Sequence, residues 1–108
     1  MRKFIIEPSK VKSKKFVVYE EFDDGTISKR VNFGATGYED FTMHKDSDRM
    51  DRYIMRHRSG ENWSKTGIMT AGFWSRWILW NKPSMRGSIN DTKDRFDIKI
   101  TKLSKSSS

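Results

Sequence analysis

The sequence predicts an α+β domain: an N-terminal antiparallel β-hairpin or small three-stranded sheet packed against two or three short helices. Three observations predict it. The first third is rich in β-branched and aromatic residues around an Asp24-Gly25 turn signal, residues 46–58 repeat apolar side chains at helical spacing, and Ser84 opens a second helical pattern that runs to Phe96.

In chain order, Lys3 to Glu7 reads as a short apolar strand, and Lys15 to Phe22 (KFVVYEEF) as a longer one. The turn at Asp24-Gly25 leads into Thr26 to Phe33, where Ile27, Val31 and Phe33 are expected on one buried face. Residues 8–15 are polar and basic and form a loop between the first two strands. Gly34-Ala35-Thr36-Gly37 ends the hairpin; two glycines at this spacing suit a turn with positive φ better than a phosphate loop, because no Lys-Ser or Lys-Thr follows.

Residues 46–58 (DSDRMDRYIMRHR) carry acids in the first turn and bases in the last, as the helix dipole favours. Met50, Tyr53, Ile54 and His57 share the inward face. A second helix runs from about Ala71 to Trp80 and stops at Asn81 and Pro83, after a loop anchored by Trp63. A third, Met85 to Phe96, is capped by Ser84. Asp97 to Thr101 alternates and returns as an edge strand. The expected packing runs through Tyr53, Ile54, Trp63, Phe73, Trp77, Ile89 and Phe96.

The chain has 108 residues, enough for one domain, read here as residues 1–101 (with its first strand at residue 3) and followed by a disordered Lys/Ser tail over 102–108. Apolar residues are only 34 % and charged ones 33 %, so burial falls to few, large side chains. Cysteine is absent, which excludes a disulfide scaffold, a Cys-based zinc site and a thiol nucleophile. No apolar run is long enough for a membrane span or signal segment, so a soluble intracellular protein is expected, with no membrane partner.

The net charge of +8 points to a polyanionic partner. TAGFWSRWILWNKP (Thr70 to Pro83) carries Arg76 and Lys82 with no acid, beside one Phe and three Trp. At 100° per residue Phe73, Trp77 and Trp80 fall within about 60° of one another, with Trp74 and Ile78 to one side. Phe73 and Trp77 are expected in the core. Trp74 and Trp80 are left open as candidates to stack on an unpaired base while Arg76 or Lys82 meets phosphate.

Arg49, Arg52 and Arg56 form a stripe, partly neutralised by Asp48 and Asp51. Arg49 and Arg56 are the better phosphate candidates, since a guanidinium fork matches phosphate geometry. His44, Asp46, Arg49, Tyr53, Arg56, His57 and Glu61 hold the residue types of a phosphodiesterase, but His44 and His57 lack metal-ligand spacing, so no metal or cofactor is expected and catalysis ranks last.

The segments VNFGATGYEDFTMHKDSDRMDRYIMRH, ENWSKTGIMTAGFWSRWILWNKPSM and SINDTKDRF, within residues 31–96, resemble a family of small basic proteins of large nucleocytoplasmic DNA viruses, of the chlorella-virus, mimivirus and marseillevirus type. The resemblance implies a viral origin and a setting in the virion, the virus factory or the host cytoplasm. It brings no assigned activity and no catalytic residues. With it, the expected function is a non-enzymatic, sequence-tolerant nucleic-acid binder, DNA before RNA, associated with genome packaging or the virus factory. Its phosphate contacts are Lys10, Lys12, Lys14, Lys15, Arg49, Arg56, Arg76 and Lys82, with Trp74 and Trp80 as stacking rings. A virion structural component, docking other virion proteins through the Trp-rich patch, is the second reading.

Overall fold

Alternating apolar residues turn Phe4 and Ile6 of β1 (Lys3–Pro8), Val18 of β2 (Lys14–Glu21) and Val31 and Phe33 of β3 (Val31–Ala35) to one face of a sheet, in a computed structural model that describes residues 1–103. β1 and β2 pair antiparallel with Ile6 opposite Val18, and β2 and β3 antiparallel with Val18 opposite Val31. A fourth strand, β4 (Lys99–Lys102), lies parallel to β1 with Ile100 opposite Phe4, so the mixed sheet has the order β3-β2-β1-β4. The α+β class and the returning edge strand are both present. The structured chain also passes the expected limit at residue 101: β4 includes Lys102, and the Leu103 N–H donates to the Ile6 carbonyl at 2.8 Å. Residues 104–108 of the expected Lys/Ser tail lie outside the described residues.

The second hairpin arm is shorter than its composition suggests. Regular pairing begins only at Val31, and Ile27 makes an isolated bridge to Glu21 and stays exposed. Ser28 explains this. Its N–H donates to the Glu20 carbonyl at 2.9 Å, but its hydroxyl, in place of a strand carbonyl, accepts the Glu20 N–H at 2.9 Å, so regular pairing is interrupted there.

Helices cover the inner face of the sheet. α1 (Phe41–His44) is one turn capped by Asp40, and α2 (Ser47–His57) starts at Asp46, whose carboxylate accepts the Asp48 and Arg49 N–H groups. α2 buries Tyr53, while Met50, Ile54 and His57 are only half-buried because the helix lies at the rim of the core. α4 (Met85–Phe96) begins at its expected Ser84 cap and sets the buried Thr92 hydroxyl 2.8 Å from the Ser88 carbonyl and 3.1 Å from that of Trp77.

The Trp-rich helix departs from a regular α-helix. α3 spans Ala71–Trp74 only; Ser75–Leu79 then open into a wider π-turn, in which the Trp80 N–H reaches back five residues to the Ser75 carbonyl at 3.1 Å. The wider turn changes the phase of the side chains. Phe73, Trp74, Trp77, Ile78 and Leu79 all enter the core, and Trp80 is left half-buried at its edge. Trp74 is 0 % exposed, with its ring 5.2 Å from Phe4 and 5.1 Å from Phe73 and its indole N–H donating to the Ile68 carbonyl at 2.6 Å. The expectation that Trp74 is open to stack on a base is therefore corrected: its ring fills the centre of the core, because the sheet offers a wide apolar face and Ile68 supplies the acceptor that a buried indole requires.

Candidate functional site

A cleft of about 480 Å³ opens between the end of the β2–β3 hairpin, α2 and the π-turn. Gly34 makes this junction possible. It holds φ at +78°, and a Cβ there would lie 2.8 Å from a Leu79 methyl, so the strand end and the π-turn meet closely only without a side chain. Gly72 lines the cleft too, and a Cβ there would come within 2.7 Å of the Glu61 carboxylate.

Four of the cations singled out from the sequence line this cleft: Lys14 and Lys15 from β2, Arg49 and Arg56 from α2. Glu39, Asp40 and Glu61 line it too, and each carboxylate is engaged. Arg49 lies 3.3 Å from Glu39, Lys15 lies 2.7 Å from Asp40, and Glu61 meets His57 Nδ1 at 3.1 Å and accepts the Trp63 indole N–H at 3.0 Å. Lys14 and Arg56 have no acidic partner within ion-pair distance among the described residues, and both are exposed.

Lys15 is not available for phosphate, a correction to the sequence reading. An ammonium has three donors, and those of Lys15 face the Tyr38 carbonyl at 2.6 Å, the Asp40 carboxylate at 2.7 Å and the Met43 sulfur at 3.5 Å. Arg76 is likewise corrected. It lies outside the cleft, its Nη1 donates to the Trp80 carbonyl at 2.7 Å, its guanidinium carbon sits 4.4 Å from the Trp77 ring centre and 5.3 Å from that of Trp63, and its buried Nε has no hydrogen-bond partner among the described residues. Burial, then the neighbouring Arg95 charge, holds the Arg76 guanidinium below the ordinary arginine value. The side chain is locked between aromatics because the π-turn carries it over Trp77.

Trp80 lines the cleft without offering a free face. Its ring stacks on Tyr53 at 4.4 Å and 3° between planes, with His44 tilted against it at 5.3 Å. Tyr53 also stacks on His57 at 4.4 Å. Trp80 as a base-stacking ring is thus corrected to a member of an internal aromatic stack. Lys10 and Lys12 are exposed on the β1–β2 loop, away from the cleft; Lys10 borders a second cavity with Glu7, Val17, Arg30 and Asn32 on the outer face of the sheet. Lys82 is exposed just before α4 and does not line the cleft either.

The stack separates the two histidines of the catalytic alternative. His57 is at the cleft with Glu61, whereas His44 packs beyond Trp80, its Nδ1 accepting the Asp46 N–H at 2.9 Å and its Nε2 buried without a hydrogen-bond partner among the described residues. No group of three or more metal-binding side chains occurs among the described residues, and no helix there is long and apolar enough to cross a membrane.

The residue missed from the sequence is Tyr38. It is 74 % exposed at the mouth of the cleft, while its backbone is held by Lys15. A signal was present: the positions two residues away on either side, Thr36 and Asp40, are polar, so Tyr38 belongs to no apolar strand face. Deeper in, the Tyr53 phenol forms no hydrogen bond with any described residue, and burial, then the Glu61 charge, pushes it above the ordinary tyrosine range, keeping it a neutral donor.

The model of a family of unknown function, DUF5754, matches residues 4–57, which span β1 through α2 and supply the four cations and Tyr38. No curated protein and no solved structure matches the chain.

Proposed function

The chain belongs to the family of unknown function DUF5754, and from its own cleft we propose that it is a small, non-enzymatic nucleic-acid-binding protein that grips phosphates without reading base sequence. The observation that carries this is the convergence of Lys14 and Arg56, both without acidic partners, on one cleft from strands and helix far apart in sequence. The net charge of +8 adds a long-range attraction to any polyanion. Arg49 lies on the same rim, in a long and exposed contact with Glu39. In the viral setting that the resemblance implies, the partner is the viral genome, and the place is the virion or the virus factory.

Fluorescence anisotropy with labelled single-stranded and duplex DNA tests the proposal. Affinity is expected to fall roughly tenfold or more between about 50 and 200 mM salt, as counterions released by neutralised phosphates are recaptured. Absence of binding at low salt, or binding indifferent to salt, overturns it.

A further inference from the structure

We infer that the cleft receives one unpaired nucleotide, its base against Tyr38 and its phosphate between Lys14 and Arg56, so that the protein prefers single-stranded to duplex nucleic acid. The inference rests on the reading of the cleft as a phosphate-binding surface and adds the kind of strand it takes.

Size is the first argument. A cavity of about 480 Å³ is in the range of sites that enclose a small molecule, and a duplex, whose bases stay stacked inside, offers such a cavity only its backbone. Tyr38 is the second. Folding leaves this ring in water at the mouth of a basic cleft, yet its backbone is pinned by Lys15, which is itself anchored on the buried Asp40. An exposed but positioned aromatic beside cations is the pairing that single-strand grooves use, because every base has a face to stack.

Charge is the third. Lys14, Lys15, Arg49 and Arg56 line the cleft against Glu39, Asp40 and Glu61, and Asp40 and Glu39 are paired with Lys15 and Arg49, so the cations outnumber the acids. Lys14 from β2 and Arg56 from α2 both line it with no acidic partner among the described residues. Tyr53 is a buried residue that lines the cleft, and its phenol, without a hydrogen bond among the described residues, supplies a donor for a base edge or a phosphate oxygen.

The test compares an oligothymidylate of about twelve nucleotides with a duplex of equal length, on wild type and Tyr38→Ala, at one low salt concentration. Because the Tyr38 side chain is exposed, the variant keeps its fold, and a thermal melt checks this. The single strand is expected to bind about tenfold more tightly than the duplex to wild type, and Tyr38→Ala to lose about that factor on the single strand alone, the size of one stacked base. Equal affinity for both strands, or an unchanged single-strand affinity in Tyr38→Ala, overturns the inference while salt-dependent binding leaves the proposed function standing. Failure of both nucleic acids to bind overturns the two together.

Discussion

The Lys15 ammonium lies 2.7 Å from the Asp40 carboxylate, and both side chains are largely buried, at 16 % and 4 % exposure. Asp40 also caps α1 through the Thr42 N–H, so one ion pair ties β2 to the loop that carries Tyr38 and to the helix that follows. This arrangement turns a lysine that reads as a phosphate contact into a clasp.

Removal of that clasp has a defined cost. Lys15→Ala leaves a buried carboxylate without its cation and is expected to destabilise the fold by about 3 kcal/mol, with Lys15→Met/Asp40→Asn recovering part of the loss. Urea unfolding of the three proteins measures it. A Lys15→Ala protein as stable as wild type would show that the pair contributes nothing net.

Lys14 and Arg56 are expected to behave differently from Lys15. Lys14→Glu and Arg56→Glu leave the melting temperature nearly unchanged, since both side chains are exposed. Each weakens nucleic-acid binding and lowers the slope of log affinity against log salt by about one. A normal slope in both variants removes the cleft as the binding surface.

Trp74 and Trp80 are separated by conservative replacement. Trp74→Phe deprives the Ile68 carbonyl of its buried donor and is expected to lower stability by about 1–3 kcal/mol. Trp80→Phe retains an aromatic face against Tyr53 and loses no hydrogen bond of the indole among the described residues, so its cost is smaller. Chemical denaturation distinguishes them, and the reverse order would contradict the burial of Trp74.

Stability on the acid side is set in part by Glu20. The Arg2 guanidinium meets its carboxylate twice, at 2.8 and 2.9 Å, and these hydrogen bonds outweigh burial and hold the carboxyl below its usual range. A depressed folded value means stabilisation that is present above the unfolded Glu value of about 4.3 and lost as pH falls through the folded one. Wild type is expected to exceed Glu20→Gln by about 1–2 kcal/mol at neutral pH. Thermal melts from about pH 7 downward follow the gap, which narrows as pH falls below the unfolded value of about 4.3; a gap that does not narrow there assigns the effect to packing.

Much of the fold was legible in local pattern. Ser84 caps the helix that follows it, β-branched runs mark β1 and β2, and DIKIT returns to the sheet. What could not be read was the phase of the Trp-rich segment. Helical spacing groups Trp80 with Phe73 and Trp77, and only the π-turn, favoured by what the sheet can bury, exchanges Trp80 for Trp74.

The same division holds for the candidate site. The sequence by itself determined the charge, the absence of thiols and the caps and turns, because these depend on residue type and near neighbours. Only the tertiary structure decided which cations remain free, since pairing is a matter of distance across the chain: Lys15 finds Asp40 twenty-five residues away, while its neighbour Lys14 faces the cleft without an acid. Both lysines line the cleft, and which of them meets an acid there is set by the packing of distant elements.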